Sequence, residues 1–181
     1  MKKIFILIFT FSINLIYSKE IQVNLLELYK ELHANPELSY QEYETSKKLA
    51  SLLESIGYQV TRNVGGNGVV ALLENGDGNT VMFRADMDGL PVEEKTGASY
   101  ASKNRVKNLE GEEVFTMHAC GHDVHMTVLI GVAEYLYKNK DTWQGKLLLV
   151  LEPAEEVSGG ARNMIKDGLF TKFPRPDFNL A

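Results

Sequence analysis

The residue types best suited to metal or nucleophilic chemistry are gathered in one short segment, Met117–His125. It reads Met-His-Ala-Cys-Gly-His-Asp-Val-His and holds three of the four histidines and the only cysteine of the 181-residue chain. Imidazole and thiolate are preferred donors for zinc and similar divalent metals. Cys120 and His122, separated by a glycine, can converge on one ion in a turn. The segment predicts a metal site; helix-capping histidines and a core cysteine are the structural alternative.

Two carboxylate pairs could serve such a site. Asp86 and Asp88 lie two residues apart where an apolar segment ends, so in extended backbone they point the same way. Glu155 and Glu156 follow a continuous apolar run. Adjacent carboxylates can divide the work, since one can bind metal while its neighbour takes a proton from water. Either pair alone is typical of a solvated loop, but beside the Cys-His segment they favour hydrolytic chemistry.

Cys120 also leaves a thiol enzyme open, in which a neighbouring histidine would activate the sulfur as a nucleophile. In known cysteine enzymes the cysteine and its histidine are generally distant in sequence. We therefore prefer the metal interpretation and keep the Cys/His thiol hydrolase as an alternative.

The elements that must position these residues follow from periodicity and turn chemistry. Ser39-Tyr40-Gln41-Glu42 has the capping-box pattern, which predicts that Ser39 caps a helix ending at Gly57. Apolar periodicity predicts three further helices, and Asn-Pro, Asn and Gly residues mark where they end. These helices cover residues 19–34, 123–139 and 161–166.

Three strands are predicted. The runs Gly68–Glu74 and Thr80–Ala85 flank Asn-Gly-Asp-Gly, which predicts a hairpin. Leu147–Leu151 is continuously apolar, as expected for a strand buried on both faces, and Pro153 ends it. Helices mixed with buried strands give an α/β fold. In such sheets ligands collect beyond the carboxyl ends of strands, where both acidic pairs lie.

The composition excludes some partners. With 19 basic and 24 acidic residues, a net charge of −5 and no basic stripe, the chain is a poor nucleic-acid binder, and a small soluble ligand is favoured. Residues 1–18 combine Lys2 and Lys3 with an apolar run and end at Tyr17-Ser18, which is typical of a signal peptide. The run is shorter than the ~20 residues of a membrane span. We expect an exported protein without a stable membrane anchor after cleavage.

In combination, these motifs resemble the M20 peptidase family. The likeness is greatest to its aminoacylase-like branch of hippurate hydrolases, auxin-conjugate hydrolases and N-acyl-amino-acid amidohydrolases. Several ordered segments carry it over nearly all of the mature chain, which makes it more specific than any one motif. They are Leu32–Ser39, Glu42–Thr45, Arg84–Pro91, Glu94–Gly97, Met117–His125 and Glu152–Gly160.

The resemblance implies roles for residues at matching positions. Cys120 corresponds to the bridging metal ligand, His122 to a second ligand and Glu156 to the metal-binding glutamate. Glu155 corresponds to the general base, and Asp88 to an aspartate that supports the metal site. The implied reaction is metal-dependent hydrolysis of N-acyl amino acids or small peptide-like amides, with Glu155 moving the proton. Zinc suits the donors, with manganese, cobalt or nickel also possible.

The resemblance also implies an architecture, a zinc-exopeptidase-like sheet flanked by helices. Residues 19–181 would be the N-terminal part of that catalytic domain, without its lid and dimerisation domain and without two further metal-binding histidines. We therefore expect two ions in the complete family site, at most one in this chain, and a homo-oligomer only for a full-length form. A truncated, inactive remnant or a single-metal-binding fragment is the alternative.

Overall fold

The computed structural model describes residues 22–181, so the predicted signal peptide and the start of the first predicted helix lie outside it. The described part confirms the α/β class. It contains the helices α1 (Leu25–Ala34), α2 (Tyr43–Ile56), α3 (His122–Lys138), α4 (Gly160–Lys166) and α5 (Leu169–Lys172). Its strands are β1 (Gln59–Val64), β2 (Gly68–Asn75), β3 (Thr80–Asp86), β4 (Arg105–Lys107), β5 (Glu113–Phe115), β6 (Gly145–Glu152) and β7 (Phe178–Leu180).

Five strands form one mixed sheet in the order β1-β2-β6-β3-β7. The strand β2 runs antiparallel to β1 and β6, whereas β3 runs parallel to β6 and β7. The central position of β6 explains its apolar sequence. Leu147, Leu149 and Leu151 join the core on one face, and Leu148 and Val150 join the core on the other.

The predicted hairpin between β2 and β3 is wrong, although both strands exist close to their predicted bounds. The strand β6 lies between them and pairs with both. Turn residues specify a reversal of the chain, not the pairing of the strands on either side. Asn75 instead donates to the carbonyl oxygens of Lys140 and Trp143, at 2.8 and 2.7 Å, and so ties this turn to the segment before β6.

The helices cover the sheet unequally. The larger core packs α1, α2 and α3 against one face, and Leu49, Leu53, Met126, Leu129 and Ile130 within it are fully buried. The other face packs against α4 and α5 through Met164 and Leu169. Within residues 22–181, no helix combines the length and the apolar character needed to cross a membrane.

The capping prediction for α2 is wrong at the start of the helix and right at its end. The helix spans Tyr43–Ile56, and Gly57, whose φ of 119° is left-handed, caps its C-terminus. Ser39 does not cap it, because its hydroxyl donates to Asp88 instead. Glu42 does accept from the Tyr40 N–H, but it is fully buried and also accepts from Ala154. Tertiary contacts have replaced the local cap.

Candidate metal centre

The candidate residues meet at one end of the sheet. The strands β3 and β6 are parallel and in register to their last residues, where Asp86 pairs with Glu152. The helix α3 begins across from these strand ends and brings His122, its first residue, against them. Ligand sites are expected beyond the carboxyl ends of parallel strands, and the observed convergence matches that expectation.

His122 is anchored through one ring nitrogen. Its Nδ1 lies 2.7 Å from the backbone carbonyl oxygen of Asp88. A carbonyl oxygen only accepts, so Nδ1 carries a hydrogen, and Nε2 can offer its lone pair to a cation once its own proton is displaced. Nε2 lies 3.5 Å from Asp86, 3.7 Å from Glu155 and 3.8 Å from Glu156. Nε2 therefore faces three carboxylates.

The electrostatics of this cluster shift the pKa values of its members. Burial lowers the pKa of His122, but the hydrogen bond to Asp88 and the charge of Asp86 outweigh it and raise the pKa to about 9. Burial, followed by the charge of Asp86, raises the pKa of Glu155. The negative charge of Asp86 thus favours the protonated forms of both His122 and Glu155.

The arrangement fits a divalent cation. One ligand atom from each of Asp86, His122 and Glu155 lies within 4.8 Å of the others. Oε1 of Glu156 is buried and has no hydrogen-bond partner in the described part of the chain, which is costly for a carboxylate. Imidazole nitrogen and carboxylate oxygens are ligands that zinc and other divalent ions accept. A cation would offset the clustered negative charge and provide a partner for Glu156.

Cys120 lies at the rim of this cluster. It is exposed, and its neighbour Glu156 raises the pKa of its thiol, as hydrogen-bond partner and as a nearby charge. A raised pKa keeps the sulfur protonated in the absence of a cation, and a bound cation would reverse this. Of the predicted ligands, only His122 belongs to the group of three that lies within 4.8 Å, which Asp86 and Glu155 complete. Glu156 lies beside His122, and Cys120 lies beside Glu156.

Asp88 supports the site from beneath. It is buried and accepts from the Ser39 hydroxyl at 2.6 Å and from the backbone N–H groups of Glu155 and Glu156 at 3.2 and 3.1 Å. Burial raises the pKa of Asp88, but the hydrogen bonds from His122 and Ser39 outweigh it and lower the pKa. The charged carboxylate thus organises both the histidine and the glutamate loop.

The two remaining histidines of the segment differ from each other. His125 is half-exposed, contacts Asp86 through Nδ1 at 3.0 Å and stacks on the ring of His122. His118 is buried, and neither of its ring nitrogens has a hydrogen-bond partner within residues 22–181. Burial lowers the pKa of His118 to about 4. His118 is therefore neutral at physiological pH.

Arg84 balances part of the acidic charge at the strand ends. Its guanidinium lies 2.5 Å from Glu152 and 3.0 Å from Asp86. Glu152 also accepts from the Ala161 N–H at 2.8 Å. The carboxylate of Glu152 is thus held by an ion pair with Arg84 and by the start of α4.

Sequence reasoning missed one candidate ligand and two supporting residues. The side chains of Asp86 and Asp88 were predicted to point the same way because they lie two residues apart. This spacing was the signal in the sequence that could have placed Asp86 beside His122. Ser39 and Glu42 gave a local capping signal that concealed their contacts with Asp88 and Ala154. Contacts between distant segments leave no periodic pattern in a single sequence.

Comparison with known proteins gives a consistent result. The model of peptidase family M20/M25/M40 matches residues 82–181. Thermostable carboxypeptidase 2 of Saccharolobus solfataricus is 44% identical over 155 residues, covering 83% of this chain and 37% of the relative. Hippurate hydrolase of Campylobacter jejuni is 42% identical over 155 residues, covering 85% of this chain and 38% of the relative.

A solved structure extends the likeness to the fold. Bacillus subtilis YxeP, described as a dinuclear metal-binding peptidase of the M20 family, superposes with a TM-score of 0.71 at 36% identity. The superposition covers 80% of this chain and 38% of YxeP. The chain thus spans somewhat over a third of the length of the relatives it matches. On its motifs, its fold and these identities, the chain belongs to peptidase family M20/M25/M40.

Proposed function

We propose that this chain carries the metal-binding part of a metal-dependent amidohydrolase acting on N-acyl amino acids or small peptide-like amides. The observation that carries the proposal is His122, which is fixed through Nδ1 while Nε2 faces Asp86, Glu155 and Glu156. The proposed ligands are Cys120, His122 and Glu156. Because the chain spans little over a third of its relatives' length, hydrolysis is proposed for a whole protein of that length, and one ion for these 181 residues.

We assign different roles to the two adjacent glutamates. Glu156 has the less exposed side chain, 15% against 38% for Glu155, and its buried Oε1 has no hydrogen-bond partner within residues 22–181. These features suit a metal ligand. Glu155 is more accessible and has a raised pKa, which suits a group that takes and returns a proton.

In the proposed reaction, water adds to the amide carbonyl and the bond to nitrogen breaks. When bound, a divalent cation supplies Lewis-acid polarisation of the carbonyl oxygen. Glu155 takes a proton from the attacking water and delivers it to the leaving nitrogen, giving a carboxylic acid and an amine. Asp88 holds His122 and the backbone of the glutamate loop in place throughout.

A cavity beside Glu156 supports the substrate class. It has a volume of about 320 Å³ and its apolar lining includes Leu38, Leu90, Leu109 and Val157. An apolar acyl group or side chain would bury its surface there, and the amide would lie towards the carboxylates. Hippurate hydrolase, among the relatives, is named for a substrate of this kind.

The remaining parts of the proposal follow from the sequence. Zinc is the proposed metal because the ligand set includes thiolate and imidazole. Export is proposed because residues 1–18 have the pattern of a signal peptide. The partners are small amide substrates rather than nucleic acid, and the alternative remains a fragment that binds one ion without catalysis.

Cobalt substitution tests the proposed ligand set. Co²⁺ bound by a thiolate gives a near-ultraviolet charge-transfer band, so the 181-residue protein should develop this band at one equivalent. Cys120→Ser should abolish the band and weaken binding by about 100-fold or more, which exceeds the cost of losing a residue that only orients a ligand. Absence of the band in the parent protein would contradict Cys120 as a ligand.

The thiol hydrolase is the second candidate, and its chemistry requires a lowered cysteine pKa. Glu156 raises the pKa of Cys120, which disfavours a free thiolate nucleophile. A chelator separates the two candidates on the whole protein, because metal removal should abolish amide hydrolysis only in the metal-dependent case.

A further inference from the structure

The backbone before and within the glutamate pair is held by two buried carboxylates. The Ala154 N–H donates to Oε1 of Glu42 at 2.7 Å. The next two N–H groups, of Glu155 and Glu156, donate to Asp88 at 3.2 and 3.1 Å. Three successive amides therefore point at carboxylates that come from distant parts of the chain, which fixes the path of the loop after β6.

Ala154 is where this loop turns. Its φ is 49°, in the left-handed region that residues with a Cβ avoid, and its side chain is fully buried. The turn redirects the chain from β6 so that the next two residues face His122 rather than continuing along the strand. Such a conformation persists only when its surroundings hold it, and the bond to Glu42 acts on its N–H directly.

Glu42 holds a second left-handed residue with the same carboxylate. Its Oε1 also accepts from the N–H of Tyr40, whose φ is 66°, at 2.9 Å. Its Oε2 accepts from Nδ2 of Asn67 at 2.9 Å, and that nitrogen also donates to the Tyr40 carbonyl oxygen at 3.1 Å. The carboxylate thus joins the loop before α2 to the loop after β6.

The surroundings of Glu42 are unusual for a carboxylate. The residue is fully buried, and burial raises its pKa. The hydrogen bonds that the structure gives it come from neutral amides, of Tyr40, Asn67 and Ala154. Burial of a carboxylate is costly unless it is hydrogen-bonded. Here the carboxylate of Glu42 accepts from the N–H groups of Tyr40 and Ala154, the two residues with left-handed φ.

We propose that Glu42 is a positioning residue of the metal centre, whose carboxylate sets the direction of Glu155 and Glu156 by holding the Ala154 N–H. The inference rests on the proposed function for the roles of Glu155 and Glu156. The hydrogen bonds of Glu42 are observed whether or not those roles are correct. Glu42 touches neither metal nor substrate and acts only through the backbone.

The test compares Glu42→Gln with the parent protein over its full 181 residues. The glutamine side chain has nearly the same shape as glutamate, but one of its two terminal atoms is an NH₂ group, which cannot accept. In one orientation this group faces the NH₂ of Asn67, and in the other it faces the N–H groups of Ala154 and Tyr40. We expect hydrogen exchange of the Glu155 and Glu156 amides to accelerate by about tenfold or more. We expect Co²⁺ affinity to fall by about 10- to 100-fold, as for other residues that orient ligands.

Two further variants sharpen the test. Asn67→Ala removes one bond to Glu42 without changing its charge, and it should produce a smaller effect in the same direction if Glu42→Gln fails to fold. Glu44→Gln, on the exposed side of α2, is the matched control and should leave both readouts unchanged.

The outcomes separate the inference from the proposed function. Unchanged exchange at Glu155 and Glu156 together with unchanged Co²⁺ affinity in Glu42→Gln would overturn the inference. Accelerated exchange throughout the chain with unchanged affinity would also overturn it, because that pattern marks a purely structural role. If the parent protein binds no Co²⁺, the proposed function fails, and the exchange comparison still decides whether Glu42 positions the loop.

Discussion

Glu155 and Glu156 are almost equally distant from Nε2 of His122, at 3.7 and 3.8 Å, so distance alone does not divide their roles. Their surroundings do. Oε1 of Glu156 is buried and accepts no hydrogen bond from the described residues, whereas Glu155 is the more exposed and has a raised pKa. A buried orphan oxygen suits coordination, and an accessible carboxylate of raised pKa suits proton transfer.

Paired substitutions should separate these roles. In Glu156→Gln we expect zinc affinity to fall by about 100-fold or more, because loss of a ligand costs more than the ~10- to 100-fold of a residue that only orients a ligand. In Glu155→Gln we expect zinc affinity to change by less than about threefold, while kcat of the whole enzyme falls by about 10²- to 10⁴-fold, because the proton carrier is lost. Isothermal titration and steady-state kinetics on an N-acyl amino acid measure the two effects. The opposite pattern would exchange the two assignments.

At the scale of elements, His33 links three segments around the centre. Its Nδ1 lies 2.6 Å from Asp123 at the start of α3, and its Nε2 lies 3.0 Å from Glu94. Glu94 also accepts from the backbone N–H of Ser102 at 2.6 Å. The imidazole of α1 thus fastens the N-terminus of α3, which carries His122, to the loop that follows β3.

This link should make stability depend on pH. Burial lowers the pKa of His33, but the hydrogen bonds to Glu94 and Asp123 outweigh it and raise the pKa. A histidine with a raised folded-state pKa stabilises the fold fully below the unfolded value of about 6.5, and this stabilisation is lost as pH rises through the folded-state pKa. The loss of unfolding free energy in His33→Gln should therefore be larger at about pH 6 than at about pH 9.

Urea unfolding at the two pH values measures this difference. Lys47→Gln is a suitable control, because its ion pair with Glu44 is exposed and contributes little at either pH. An equal loss in His33→Gln at both pH values would show that the charge of His33 does not contribute to stability.

Periodicity and composition were sufficient to predict most elements but not their neighbours in space. The run Leu147–Leu151 predicted a strand buried on both faces, and β6 is that strand. The pairing of β2 with β6 could not be predicted from the turn at Asn75, because turn chemistry is local. The strand β1 was missed because its residues are mostly polar, and β4, β5 and β7 have three residues each.

The candidate site was predictable to a similar extent. Cys120, His122 and the glutamate pair were evident because metal-binding residue types are rare in such concentration. Glu42 was hidden, since its sequence neighbours suggested a local cap, whereas its partner Ala154 lies far along the chain. Candidate ligands can thus be recognised by residue type, whereas residues proposed to position them can be recognised only from the fold.

At the scale of the whole molecule, metal and fold should be coupled. The proposed ligands come from the start of α3 and the loop after β6, and the neighbouring Asp86 comes from β3, so an ion that binds only the folded chain stabilises the assembly of these segments. With free zinc at a hundredfold excess over Kd, we expect about 2.7 kcal/mol of added unfolding free energy. Thermal unfolding with zinc, and again after chelation, tests this. If zinc leaves the melting temperature unchanged, a metal site formed by these three segments is contradicted.

The central place of β6 also determines when the centre can form. Until β6 pairs with β2 and β3, no strand joins these two, and Asp86 lacks its partner Glu152 at the end of the sheet. The chain must first close a long loop, which makes this pairing an entropically slow step of folding. The strand β6 joins β2 to β3 in the sheet, and the glutamate pair follows shortly after it. The same strand therefore also brings Glu155 and Glu156 to the candidate site. A partly folded chain in which β6 is unpaired has no assembled candidate site.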